Sequence, residues 1–247
     1  MQAQEHHIPS SREGDALFQA LEKEGCPVCL VTLEAMQRAM DYWLYEGFSD
    51  ADNRQRLIRS HGFCARHTWQ LAQLPASFQL AQVYQTTLSE TLTSLTQSLE
   101  LVKRSQQTSQ QSFWRTIWHK ARKRREGRDI PSPQAPCTFC QTQHENEERL
   151  ASTILTMLAS ETFLERLRLT TTGFCLPHFT RMYEAANNNA QRSCLLESQC
   201  LHAQYLQHEL AELIRKHDYR FLKEPQGEEM TSWRRAAKFF IGHDGVR

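Results

Sequence analysis

Apolar residues recur along the chain at intervals of three and four and almost nowhere at alternating positions, so the elements they predict are helices. An amphipathic segment over 11–24 carries Leu17, Phe18 and Leu21. A helix follows over 30–46, with Leu33, Met36, Met40 and Trp43 or Leu44 on one face. Ser49 and Asp50 have the chemistry of an N-cap for a short helix that ends before Gly62, and residues 65–74 read as helical. Leu88, Leu92, Leu95, Leu99 and Val102 then step by four and three along a longer helix, and Ala203, Leu206, Leu210 and Leu213 mark another. Stripes of this period are expected to pack against one another in a bundle. Thr231 or Ser232 can cap a last helix over 233–241 that stops at Gly242, with Trp233, Ala237, Phe240 and Ile241 as its docking face. The expected fold is all-α.

The pattern is also doubled. Cys26, Cys29, Cys64 and His67 recur as Cys137, Cys140, Cys175 and His178, every one displaced by 111 positions, and the third cysteine of each set follows Gly-Phe. The same offset carries Leu92, Leu95, Leu99 and Val102 onto the second apolar stripe. The expected organisation is therefore two tandem helical-bundle repeats, 11–103 and 137–216, each with a Cys₃His metal site and packed with pseudo-twofold symmetry. A basic linker over 104–136 joins them, and a C-terminal extension over 217–247 supplies a docking helix. Two ligand pairings satisfy the spacing: each copy builds its own site, or Cys26 and Cys29 join Cys175 and His178 across the pseudo-twofold axis.

Three sulfurs and one imidazole complete a tetrahedron, the closed environment of structural zinc, so two zinc ions per chain are expected. An iron–sulfur cluster held by the same residues, in a redox protein or an enzyme component, is the alternative. Cysteine followed by histidine at the third position on places both side chains on one face of a helix's first turn. Glu34 with Arg38 and Glu145 with Arg149 read as surface pairs along a helix, or else as carboxylates orienting a ligand histidine. Cys200, on the Leu196 and Leu206 side of its helix, reads as a small buried hydrophobe, and neither it nor Cys194 reads as a ligand.

Composition narrows the role more than it defines it. The 247 residues carry a net charge of +1, so no global field draws the chain to nucleic acid or membrane. The exception is local: from Lys103 to Pro136, nine Lys or Arg face Glu126 and Asp129, a charge of +7 around Phe113, Trp114, Ile117, Trp118 and Ala121. That segment reads as a linker helix docked by its aromatic face; residues 113–128 could instead meet nucleic acid or an anionic membrane. Cysteines committed to ligand sets, the lack of a cleavable leader pattern and the lack of an apolar run of about 18 to 20 residues point to a cytoplasmic protein. No catalytic constellation is recognisable. The expected function is a metal-binding helical scaffold or interaction protein with a protein partner, with a nucleic-acid-associated zinc-binding protein as a further alternative and no enzyme activity assigned.

Cys26-Pro27-Val28-Cys29-Leu30, Gly62-Phe63-Cys64-Ala65-Arg66-His67, Gly173-Phe174-Cys175-Leu176-Pro177-His178 and the tail from Glu224 to Ala236 together resemble an uncharacterised bacterial family with tandem C-P-x-C and G-F-C-x-x-H repeats. The resemblance covers nearly the whole chain and implies the architecture without an activity. Thr138 departs from it, standing where the first copy has Pro27, and leaves the ligands intact. A likeness confined to one motif, C-P-x-C-L followed by C-x-x-H, is shared with zinc-binding segments of transposition proteins of the TniQ type.

Overall fold

A computed structural model describes residues 11–108, 135–221 and 223–246, with 105–108 as backbone only. The basic segment 113–128 lies outside the described residues. Among the described residues there are ten α-helices and no strand: α1 (Arg12–Ala20), α2 (Pro27–Tyr45), α3 (Ala51–Arg59), α4 (Ala65–Ala72), α5 (Ser77–Thr108), α6 (Thr138–Met157), α7 (Glu161–Leu169), α8 (Leu176–Ala185), α9 (Asn189–Lys216) and α10 (Ser232–Ile241). No described helix is long and apolar enough to cross a membrane.

Four helix starts, those of α1, α3, α7 and α9, are set by side chains that satisfy otherwise orphaned N–H groups. Ser11 Oγ accepts from Gly14 N at 3.0 Å, Asp50 Oδ1 from Asn53 N at 2.8 Å, Ser160 Oγ from Phe163 N at 3.5 Å and Asn188 Oδ1 from Gln191 N at 2.9 Å. Asp50 takes the capping role in the first copy, while Ser49 falls in the preceding turn. At the far end, Gly242 adopts φ +84° and its N–H returns to Lys238 O at 2.9 Å, stopping α10 as the sequence predicts.

The described residues form two compact units, one drawn from the ranges 1–38 and 142–247 and the other from 39–141. Their boundaries fall inside α2 and α6 and not in the 104–136 joint, so the units interleave along the sequence where a tandem division at 11–103 and 137–216 is expected. The ligand pairs described below partner in the same interleaved way. The first unit packs Leu17, Val28, Leu150, Ile154, Phe163, Leu167, Phe174 and Leu195 into one apolar core, with Phe18 set edge-on to Phe163. Each such side chain contributes about 1.5–3 kcal/mol by leaving water. The second unit centres on Trp43, which meets Phe63 edge-on at 5.0 Å, while Phe63 stacks on Phe139 at 4.9 Å.

Three expected faces differ from those found. The Leu88–Val102 stripe of α5 is 44–61% exposed among the described residues; α5 buries Val83 and Thr87 instead. A heptad spacing marks a helix able to pair and does not supply what covers it. On α9, Leu206 and Leu213 are buried as expected, but Cys200 is exposed, because the inward face is the one carrying Leu195, Ser198, Gln199, His202 and Glu209. On α10, Trp233, Phe240 and Ile241 are exposed and Ser232, Arg235 and Phe239 turn inward. Arg235 is drawn in by an ion pair with Glu209 of α9, the two side chains being 4% and 8% exposed.

Candidate metal centres

All four half-motifs share one local construction. Cys26 and Cys137 precede α2 and α6, their carbonyls accepting from Leu30 N and Gln141 N at 3.1 Å, and Cys29 and Cys140 follow one turn on. Pro27 at the first helical position of α2 needs no N–H partner there. Cys64 and Cys175 are the N-cap residues of α4 and α8, in extended conformation (φ −66°, ψ 164° and φ −68°, ψ 150°), with His67 and His178 three residues later. Each half-motif thus presents two ligands from the N-terminal turn of a helix, where the positive end of the helix dipole favours thiolate.

The Gly-Phe turns aim these ends. Gly62 and Gly173 have φ of +89° and +57°. A Cβ on Gly62 would stand 2.7 Å from Tyr84 Cε1, and one on Gly173 would stand 2.5 Å from His202 Nδ1. The long helix after each motif therefore lays a ring against the bare glycine. His202 is fixed there by Ser198 O at 2.7 Å from Nδ1 and Thr170 Oγ1 at 3.0 Å from Nε2, and burial holds its pKa below the ordinary histidine value.

The structure brings all eight residues together as two groups, and the pairing is the exchanged one. Cys26, Cys29, Cys175 and His178 form one centre in the first unit, and Cys64, His67, Cys137 and Cys140 form the other in the second, with every ligand atom of a group within 4.8 Å of the rest. In the first centre His178 Nδ1 lies 3.6 Å from Cys26 Sγ, 3.4 Å from Cys29 Sγ and 3.1 Å from Cys175 Sγ, and Cys29 Sγ is 3.7 Å from Cys175 Sγ. In the second, His67 Nδ1 lies 3.2 Å from Cys64 Sγ, 3.6 Å from Cys137 Sγ and 3.4 Å from Cys140 Sγ, and Cys64 Sγ is 3.5 Å from Cys140 Sγ. A tetrahedron with Zn–S of about 2.3 Å and Zn–N of about 2.0–2.1 Å has edges of about 3.5–3.8 Å. A disulfide would need about 2.05 Å, and all eight cysteines are free.

Electrostatics agree with a cation-binding set. Hydrogen bonds from Cys26 and Cys29, and from His178, hold the Cys175 thiol well below its ordinary range against the effect of burial. Burial, with its thiol neighbours, pushes Cys26 up. Burial pulls His178 down, but its bonds to Cys175, Cys29 and Glu147 outweigh this and raise it to about 11. Cys140 is pushed up to about 12 by burial and by Cys64, while Cys64 is lowered by His67 and its cysteine partners despite burial. Each group holds protons that an ion would displace, so metal binding releases protons and acid opposes it.

The surroundings of the first centre include residues that sequence reasoning missed. Glu147 is buried, 3.5 Å from His178 Nε2, 2.5 Å from Arg181 Nη1 and 2.7 Å from Gln143 Nε2. Burial raises its pKa, but His178, Gln143 and Arg181 bring it down to about 2. This buried carboxylate stands beside the Nε2 of a candidate ligand histidine; Glu34 makes surface pairs with Lys23 at 3.1 Å and Arg38 at 3.9 Å, and Glu145 is exposed. Nothing in the repeat flags Glu147, because Met36 stands at the corresponding position.

This frame has a counterpart in known sequences. Residues 14–245 match the family described as "Family of unknown function (DUF6062)". The chain belongs to DUF6062. The DUF6062 match spans all eight ligands, both Gly-Phe turns and α10. No curated protein and no solved structure matches the chain.

Proposed function

We propose that the chain is a two-zinc helical scaffold of the reducing cytoplasm, acting through contact with a protein partner and not through catalysis. One observation carries the reading: each group gathers three Sγ atoms and one Nδ1 within 4.8 Å of one another, close enough to share a single ion, with all four positions supplied by protein. A closed four-ligand site leaves no open position for water or substrate, and this supports a structural role. The same closeness favours a single ion over a cluster, which spreads its four protein ligands over two or more irons and so holds some of them farther apart. Zinc is preferred among single ions because soft thiolates and imidazole in a tetrahedron suit it. Elemental analysis and an absorption spectrum of anaerobically purified protein test this. The expected result is a colourless protein with about two zinc ions per chain that loses structure on chelation; iron with visible absorption would overturn the assignment.

A further inference from the structure

The two centres share a ligand set and differ in access. In the first, Cys26, Cys29, Cys175 and His178 are 5%, 0%, 1% and 2% exposed. Part of that closure comes from chain that has no counterpart in the repeat. After α10 the backbone turns at Gly242, so that His243 N–H donates to Cys29 Sγ at 3.5 Å, and buried Val246 offers its carbonyl to Gln143 Nε2 at 2.6 Å. In the second centre His67 and Cys137 are buried, but Cys64 and Cys140 are both partly exposed, with their sulfurs 3.5 Å apart.

We propose that Cys64 and Cys140 form an oxidisable pair through which hydrogen peroxide opens the second centre and releases its ion, while the first centre keeps its own. This inference rests on the reading of both groups as zinc centres. Metal-bound cysteine is already thiolate, the reactive form, and susceptibility to oxidation follows thiolate character and exposure. One of the two thiolates attacks the peroxide: an S–O bond forms, the O–O bond breaks, and hydroxide leaves to be protonated to water. The other thiolate then attacks the sulfenic sulfur, forming the S–S bond, breaking S–O and releasing a second hydroxide. Two electrons pass from the sulfurs to the peroxide, and two protons complete two waters. The sulfurs need to close from 3.5 Å to about 2.05 Å, a movement two side chains can share. The centre is left with Cys137 and His67, too few ligands to hold zinc in competition with a chelator.

Hydrogen peroxide added to zinc-loaded full-length protein, with a chromogenic chelator reporting released zinc and peptide mass spectrometry locating disulfides, tests the proposal. The expected outcome is release of about one zinc per chain, at least about tenfold faster than the second, with a Cys64–Cys140 disulfide that dithiothreitol and zinc reverse. A Cys194→Ser, Cys200→Ser double variant, which keeps all eight ligand residues, is expected to behave the same way. Parallel release of both ions, release of neither, or a disulfide formed first at Cys26–Cys29 or Cys137–Cys140 overturns it. If the protein purifies without metal, the zinc reading fails separately, and the order of disulfide formation still decides whether Cys64 and Cys140 are the accessible pair.

Discussion

Gly173 shows how a single missing side chain positions a ligand. Its φ of +57° and the His202 ring against its α-carbon leave no room for a Cβ, so Gly173→Ala is expected to cost about 2–4 kcal/mol, as left-handed backbone strain adds to a clash with a buried ring. Denaturant unfolding of the zinc-loaded protein measures this; a loss below about 0.5 kcal/mol, the ordinary range of neutral surface changes, would show that the ring simply moves aside. Glu147 makes a different prediction, because it acts through His178. Glu147→Gln is expected to weaken metal binding about 10- to 100-fold at the first centre only, leaving the second unchanged in competition titrations with a chelator. The ligands themselves were legible in the sequence because the 111-residue offset repeats them. Glu147 and His202 were not, since Met36 and Thr91 occupy the matching positions and no periodicity of charge marks either residue.

At the scale of elements, hydropathy located the helices well and assigned their faces less well. The inward side of α9 carries Ser198, Gln199, His202 and Glu209 among its leucines, each with a defined partner: Gln199 Nε2 donates to Phe174 O at 2.9 Å, beside the ligand Cys175. A polar residue that is buried because it is bonded cannot be told from a surface one by hydrophobic spacing. The same reasoning explains α10, which docks through Arg235 and Phe239 and leaves Trp233 outside. Arg235→Ala is expected to cost about 3–5 kcal/mol by leaving Glu209 buried and unpaired, whereas Trp233→Ala should change stability by about 0.5 kcal/mol or less, as at ordinary exposed sites; equilibrium unfolding of the two variants separates these outcomes. The polar connection between α9 and α10 is also tied down. Lys216 Nζ binds Glu229 at 2.8 Å and Pro225 O at 2.8 Å, and the Lys216 bond, with backbone N–H donors, brings Glu229 down to about 2. A carboxylate whose pKa is lowered by folding stabilises the native state above its unfolded value of about 4.3 and loses that contribution as pH falls toward the folded value. The stability gap between wild type and Glu229→Gln should therefore stay constant from about pH 7 to about pH 5 and narrow below that range, as thermal unfolding across pH would report.

For the whole molecule, the exchanged pairing decides what the metal does. Between motif halves, each first-centre contact joins residues 146 to 152 positions apart, and each second-centre contact joins residues 70 to 76 apart. Cross-links that close loops of this length remove more unfolded-state entropy than a clip within one repeat would, so the ions should act on global stability and not only on local helix ends. The sequence could not choose between the pairings because Cys26–Cys29 and Cys137–Cys140 present the same two ligands at the same spacing; the choice belongs to long-range packing, in which Val28 and Val31 of α2 join Phe174 and Met182 in one core. The interleaved units have the same origin. The most direct test is a cysteine–metal correlation by nuclear magnetic resonance on the cadmium-substituted protein, with each cadmium signal assigned to the cysteine β-protons it couples to. One signal should couple to Cys26, Cys29 and Cys175 and the other to Cys64, Cys137 and Cys140. A signal coupled to Cys26, Cys29 and Cys64 together would contradict the exchanged pairing.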